Sequence, residues 1–334
     1  MTATRASRAR LLLVVGVLAV GLVGALALAA AIGVEHVDWA LALAPGTPDH
    51  AIVVDARLMR ALLGALVGGG LAAAGVTFQT LVRNPLAEPY VLGVSSGASV
   101  GATLVIVAGV GQGPLLALGA FGGALGALAL VYRIGVVRGR LVPHVVLLSG
   151  VVFNAFSWAI IVTLASLAGR GTIAEILLWL MGSLSVPDGP RLGAAAVAIF
   201  ASLAALMVLA PRMNALALGE EGAHSVGVDV SRTRKLLLVT ASVLTAAAVS
   251  VAGPIGFVGI IVPHAMRLLV GPDHRLLVPA SAIAGALFLS LCDVLTRLAF
   301  LPLGAEPPVG VLTALFGGPF FLVLLWRRRG ERLF

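Results

Sequence analysis

The chain has 334 residues, 60% of them hydrophobic and only 11% charged, whereas ordinary soluble domains run at roughly 45 to 50% and about 25%. This excludes a water-soluble globular protein and defines a polytopic membrane protein. The formal charge of +8 is split among short connections, leaving no basic face for nucleic acid, and the single cysteine, Cys292, rules out an intrachain disulfide or a cysteine zinc cluster.

A bilayer core about 30 Å thick needs roughly 20 apolar residues in helical form. In chain order such segments run at about 11–32, 58–82, 91–110, 115–137, 145–168, 192–210, 236–252, 255–270, 276–298 and 309–326. Their apolar character is continuous rather than alternating, which selects helices over a barrel. The expected class is therefore all-α, with about ten transmembrane helices in a single domain over 1–334. The first segment follows Arg5, Arg8 and Arg10 but exceeds the roughly 7 to 15 residues of a signal-peptide core, and is read as a span.

With a cytoplasmic amino terminus, an even number of spans returns the carboxyl terminus to the cytoplasm. Of the 22 basic residues, Arg57, Arg60, Arg170, Arg191 and Arg297 then face outward. The others gather inside, among them Arg83, Arg138, Arg140, Arg212, Arg232, Arg234, Lys235, Arg328, Arg329 and Arg332, as the positive-inside rule requires.

Membrane helices associate through close approach of small residues. Glycines at four-residue spacing offer such faces at Gly64 and Gly68, at Gly93, Gly97 and Gly101, and at Gly122 and Gly126. The connection Arg83 to Tyr90 holds Pro85 and Pro89, so it cannot continue a regular helix and is expected as a fixed cytoplasmic turn. The following stretch, Leu92 to Ala98, suits either a capped helix start or a pore lining. The connection at about 211–234 reads as two short helical pieces separated by glycine. It is either a surface loop or a place for a soluble partner to push. Gly253-Pro254-Ile255-Gly256-Phe257-Val258-Gly259 breaks an apolar run, as in membrane helices that line a cavity or pack within protein. His264 beyond it is either a proton relay or a carbonyl-bonded residue, and Asp293 with Arg297 at i and i+4 is either a functional site or a structural ion pair.

No phosphate-binding loop is possible, because the only lysine, Lys235, follows Arg234 rather than glycine. No His-Glu-x-x-His zinc motif occurs either. Glu175 and Asp188 fall in outer connections, leaving Asp293 as the intramembrane carboxylate, which is too few for an ordinary ion-coupled carrier. The chain reads as a transport subunit and not an enzyme, energised from elsewhere; an ion-coupled secondary transporter is the alternative.

The residues Arg57 to Arg60, Gln79, Arg83 to Pro89, Leu92 to Ala98, Leu216 to Gly227, Gly253 to His264 and Pro308 to Gly310 together resemble the FecCD-type permeases of type II ABC importers. That family moves ferric siderophores, haem and cobalamin, and the likeness keeps motif order from Asp55 to Arg329. It implies a homodimer in the bacterial inner membrane, two cytoplasmic ATP-binding subunits that use ATP and Mg, and a periplasmic substrate-binding protein. No cofactor is implied for this chain. By the same resemblance Arg57, Arg60 and Arg297 dock the binding protein, although Met59 stands where the family usually has proline. Leu218, Gly219, Glu220, Glu221, Gly227 and Val228 would couple to the ATPase. Pro143 and His144 would narrow an inner gate, and Ser149, Asn154 and Ser157 would give slight polarity to the translocation path. The chelates rank as ferric siderophore, haem, then cobalamin.

Overall fold

The computed structural model describes residues 2–33, 35, 37–110, 113–185 and 189–327; Asp188, Arg328, Arg329 and Arg332 lie outside the described residues. It opens with α1 (Thr2–Ala31), the short α2 (Trp39–Ala42) and α3 (Pro48–His50), and a π-helical stretch at Ala51–Leu58 that passes without a turn into α4 (Met59–Val82). Next come α5 (Val94–Val107), α6 (Pro114–Gly135), a hairpin of β1 (Val136–Val137) and β2 (Arg140–Leu141), α7 (Pro143–Leu167) and α8 (Arg170–Leu180). Then follow α9 (Gly189–Ala217), α10 (Glu220–Ser225), α11 (Val230–Ala252), α12 (Val258–Val270), α13 (His274–Leu303) and α14 (Val309–Arg327). The hairpin is antiparallel, with Val136 opposite Leu141 and Val137 opposite Arg140.

Among the described residues seven helices are long and apolar enough to cross a membrane, and Val94–Val107, Val258–Val270 and Val309–Val323 are shorter apolar helices. The expected spans over 91–110 and 255–270 shrink to the 14 residues of α5 and the 13 of α12, each about 20 Å long at 1.5 Å per residue. Before both, the backbone is irregular and largely buried, and side chains hold part of it, Asn154 at the Tyr90 carbonyl and Glu88 at the Phe257 amide.

The centre of the bundle is α4, whose residues from Val67 to Gln79 are all buried. It runs antiparallel to α13, with Arg60 bonded to Asp293 at one end and Thr80 to His274 at the other. Small residues let the two backbones touch. A Cβ on Gly68 would collide with the Gly285 carbonyl, and one on Gly285 with that of Gly68. Gly75 meets Gly259 of α12 in the same way. Between α5 and α6, Gly97 and Gly101 pack on Gly119 and Gly123, whereas Gly122 and Gly126 face open space. The close face on α6 is therefore formed by a pair three residues earlier than the expected one.

Around this spine, Phe78, Leu63, Ile199, Leu206, Leu237 and Leu244 fill the core, while Val197, Phe200 and Val208 of α9 and Val20 and Val23 of α1 are exposed, as befits lipid-facing surfaces. The helix α9 continues through Pro211 to Ala217. The connection expected at about 211–234 accordingly narrows to 218–229, with one short helix, α10, in place of two pieces. Its exit is capped by the Asp229 carboxylate, which accepts from the Arg232 amide at 2.9 Å and opens α11.

Candidate functional site

Three irregular segments meet inside the bundle. The helix α11 stops at Gly253, and the chain stays non-helical until Phe257, the residue before α12, which sits at φ 67. That left-handed conformation costs a bulky residue about 1 to 3 kcal/mol and persists only when its surroundings impose it. Here the imposing partner is Glu88, from the connection between α4 and α5. Its Oε2 accepts the Phe257 N–H at 3.1 Å, and the side chain is 8% exposed. The carboxylate also lies at the positive end of α12.

The Glu88 connection is itself held fast. Asn154 of α7 donates to the Tyr90 carbonyl at 2.7 Å and accepts from Ser96 at 2.6 Å. Gln79 of α4 donates to the Gly259 carbonyl at 3.2 Å and accepts from Arg267 at 3.1 Å. A third segment, Met181 to Ser183 after α8, closes the knot, as Ser183 donates to the Ala252 carbonyl at 2.8 Å. A cavity of about 490 Å³ opens beside these segments, lined by Glu88, Tyr90, Met181, Phe257, Val311 and Leu315 among others. Sequence reasoning singled out the two irregular runs but not their meeting; the signal was the lone acid between Pro85 and Pro89.

Of the residues expected on the path, Asn154 spends its amide on this knot. Ser157 is fully buried, and Ser149 donates to the Val146 carbonyl one turn back. The exposed face of α7 consists instead of Leu148, Val151, Val152 and Phe156. Pro143 and His144 open α7 directly after the hairpin, with His144 exposed.

The three arginines expected to face outward do not share one exposed surface. Arg57, 7% exposed, donates to the carbonyls of Ala30, Ala31 and Glu35 and so ties the π-helical stretch to α1. Arg297, 4% exposed, donates to the Ala29 carbonyl at 2.8 Å and to Asp293. Arg60 bonds the other oxygen of Asp293 at 2.7 Å and Glu306 at 2.8 Å, and keeps 26% of its side chain exposed. Asp293 is thus a fully buried carboxylate between two guanidiniums. Arg60 also lines a cavity of about 600 Å³ with Glu175, Trp179, Arg191 and Glu306.

At the opposite end, α10 lies between two glycines with positive φ, Gly219 at 97° and Gly227 at 78°. Its compact turn is closed by the Val228 amide donating to the Ala223 carbonyl at 3.0 Å. Glu220 pairs with the buried Arg234 at 2.7 Å. The hydrogen bond from Arg234, reinforced by its charge, holds the Glu220 carboxyl below the ordinary carboxylate value. Leu218 and Val226 stand exposed on either side, an apolar pair on a charged frame, and Glu221 is exposed beside them.

A bundle of apolar helices with helix breaks inside it and a compact exposed turn at one end fits a membrane transport protein. More particularly, the chain belongs to the FecCD transport family, whose model matches residues 11–327. It is 47% identical over 303 residues to the cobalamin import system permease protein BtuC of Halobacterium salinarum, a match covering 89% of this chain and 80% of that protein. It is 40% identical over 289 residues to the hemin transport system permease protein HmuU of Yersinia pestis, covering 84% and 85%. It is 38% identical over 315 residues to the Fe(3+) dicitrate transport system permease protein FecD of Escherichia coli, covering 92% and 96%. Among solved structures, a metal-chelate type ABC transporter in an inward-facing conformation superposes with a TM-score of 0.82 at 30% identity, covering 94% of this chain and 98% of that one.

Proposed function

We propose that the chain is the permease subunit of an ATP-driven importer for a bulky metal chelate. The family match over residues 11–327 carries this reading, and a sequence without a phosphate-binding loop supports assigning ATP and Mg to separate subunits. The working assembly is two copies of this chain, two cytoplasmic ATP-binding subunits seated on α10, and an external substrate-binding protein. It spans the cytoplasmic membrane about ten times, with both termini inside. No cofactor is assigned to the chain itself.

Cobalamin now stands ahead of haem and ferric chelates. The support is the 47% identity to a cobalamin permease, against 40% for a haem permease and 38% for a ferric citrate one. Docking of the binding protein narrows to Arg60, because Arg57 and Arg297 are spent on buried carbonyls and Asp293. Leu218, Gly219, Glu220, Glu221, Gly227 and Val228 are proposed to meet the ATPase. Pro143 and His144 remain the proposed inner constriction.

The test is uptake into proteoliposomes holding the permease with its ATPase and binding protein, offered cobalamin, haem and a ferric siderophore in turn. ATP-dependent uptake of one of them is expected. Uptake driven by a proton gradient with the ATPase omitted would instead establish the ion-coupled alternative.

A further inference from the structure

We propose that Glu88 is a positioning residue for transport: it clamps Phe257 in a left-handed conformation as a wedge against a hinge in α14, and so governs the opening of the adjoining cavity. This rests on the transport reading above. Four observations converge on it. Phe257 is one of three non-glycine residues with positive φ among the described residues; the others, Arg83 and Arg138, lie at a helix end and a hairpin turn. Phe257 instead stands, partly buried, at the junction between α11 and α12, and the bond from its N–H to Glu88 holds it there.

The Phe257 side chain presses on α14 at Gly317, where an added Cβ would collide with its Cβ, Cγ and Cδ1. That position is followed by Gly318 and by Pro319 within the helix. Proline removes one helical hydrogen bond and glycine lowers the cost of bending, the usual makings of a kink. The wedge therefore acts on the part of α14 best able to yield.

The anchor is tied into the bundle, while the target keeps one face exposed. Glu88 sits between Pro85 and Pro89 in a connection tied to α7 through Asn154, whereas α14 exposes Leu315, Phe316, Phe320 and Leu322 on its free side. The cavity of about 490 Å³ has its walls on both partners, with Glu88, Tyr90 and Phe257 facing Val311, Ala314 and Leu315. When the clamp lets go, Phe257 relaxes to negative φ, its ring leaves Gly317, and α14 is free to shift and change the width of the cavity.

The test uses the assembled transporter in proteoliposomes with Val311→Cys as reporter, since the native Cys292 is buried. A small water-soluble thiol reagent reads access to the cavity, and uptake per ATP hydrolysed reads coupling. Glu88→Leu should speed resting-state labelling at least fivefold and lower uptake per ATP several-fold, with Phe257→Gly doing the same. Glu88→Gln, which keeps an acceptor for the Phe257 amide, should label at the unsubstituted rate. Wild-type labelling in both Glu88→Leu and Phe257→Gly overturns the wedge, even where uptake falls, because a merely structural role would lower uptake without opening the cavity. Should Glu88→Leu fail to assemble, Phe257→Gly alone decides by the same labelling. Failure of the unsubstituted assembly to transport with ATP would sink the transport reading, and the labelling arm would still report on the wedge.

Discussion

Replacing Asp293 with asparagine probes the charge cluster at the Arg60 end of the bundle. The carboxylate has no exposed surface and receives Arg60 on one oxygen and Arg297 on the other. The two arms differ in weight. Arg60 is partly solvated and keeps Glu306, so losing its bond to Asp293 costs about 0 to 1 kcal/mol. Arg297 is 4% exposed and would retain only neutral carbonyls from α1, leaving a buried cation without a counter-charge, a change that costs about 3 to 5 kcal/mol. The expected loss for Asp293→Asn is therefore at least about 3 kcal/mol, read as a shift in the chemical unfolding curve of the detergent-solubilised protein. Removing both charges with Asp293→Leu and Arg297→Leu together should cost less than the single change, because an apolar pair can replace a buried ion pair nearly neutrally. An Asp293→Asn curve within about 1 kcal/mol of the unsubstituted protein, or a double variant worse than the single, would refute the reasoning.

Gly75→Val drives two methyl groups into Gly259 and should cost about 1 to 3 kcal/mol by overpacking; Gly122→Ala, facing open space, should unfold like the parent in the same assay. The Glu220 carboxyl is held below its ordinary value of 4.5 by Arg234, so its contribution is complete above that value and disappears as pH falls through the lowered one. With the carboxylate half exposed the effect is only a few tenths of a kcal/mol, or about 0.5, and faster amide exchange in α10 on acidification is the measurement that checks it. Leu218→Asp and Val226→Asp together should weaken ATPase-subunit binding in a pull-down from detergent while leaving the spans inserted. Arg60→Glu should slow binding-protein association and flatten its salt dependence, since rim charges act mainly on encounter; an unchanged association rate at low ionic strength would remove Arg60 from docking.

Hydropathy located every apolar helix because a run of apolar residues is a property of composition, independent of what it packs against. Helix ends were another matter. Leu92 to Ala98 could be read as a capped start, but what holds that entry is Asn154 across the bundle, which donates to the Tyr90 carbonyl and accepts from Ser96. Spacing revealed that α6 has glycines at a four-residue period, but period carries no phase, and Gly119 with Gly123 turned out to face α5 in place of Gly122 and Gly126. The arginines expected outside were legible as a charge pattern, yet two of the carbonyls that Arg57 holds, Ala30 and Ala31, end another helix 26 residues or more away in the chain. The ion pair of Asp293 and Arg297 was readable because both lie on one helix face; that Arg60 shares the same carboxylate required the fold.

The antiparallel contact of α4 and α13 has a mechanical side. The two helices are fastened at both ends, by Arg60 to Asp293 and by Thr80 to His274, with the Gly68 and Gly285 backbones in direct touch between them. Such a strut, about 36 Å long over the 24 residues of α4 at 1.5 Å per residue, has no slack in which its members could slide. A load arriving at one face of the membrane can only tip it as a whole. Any change of shape between the two faces must then be taken up beside it, where α5 and α12 stop short of the full thickness and hand the chain to bent backbone.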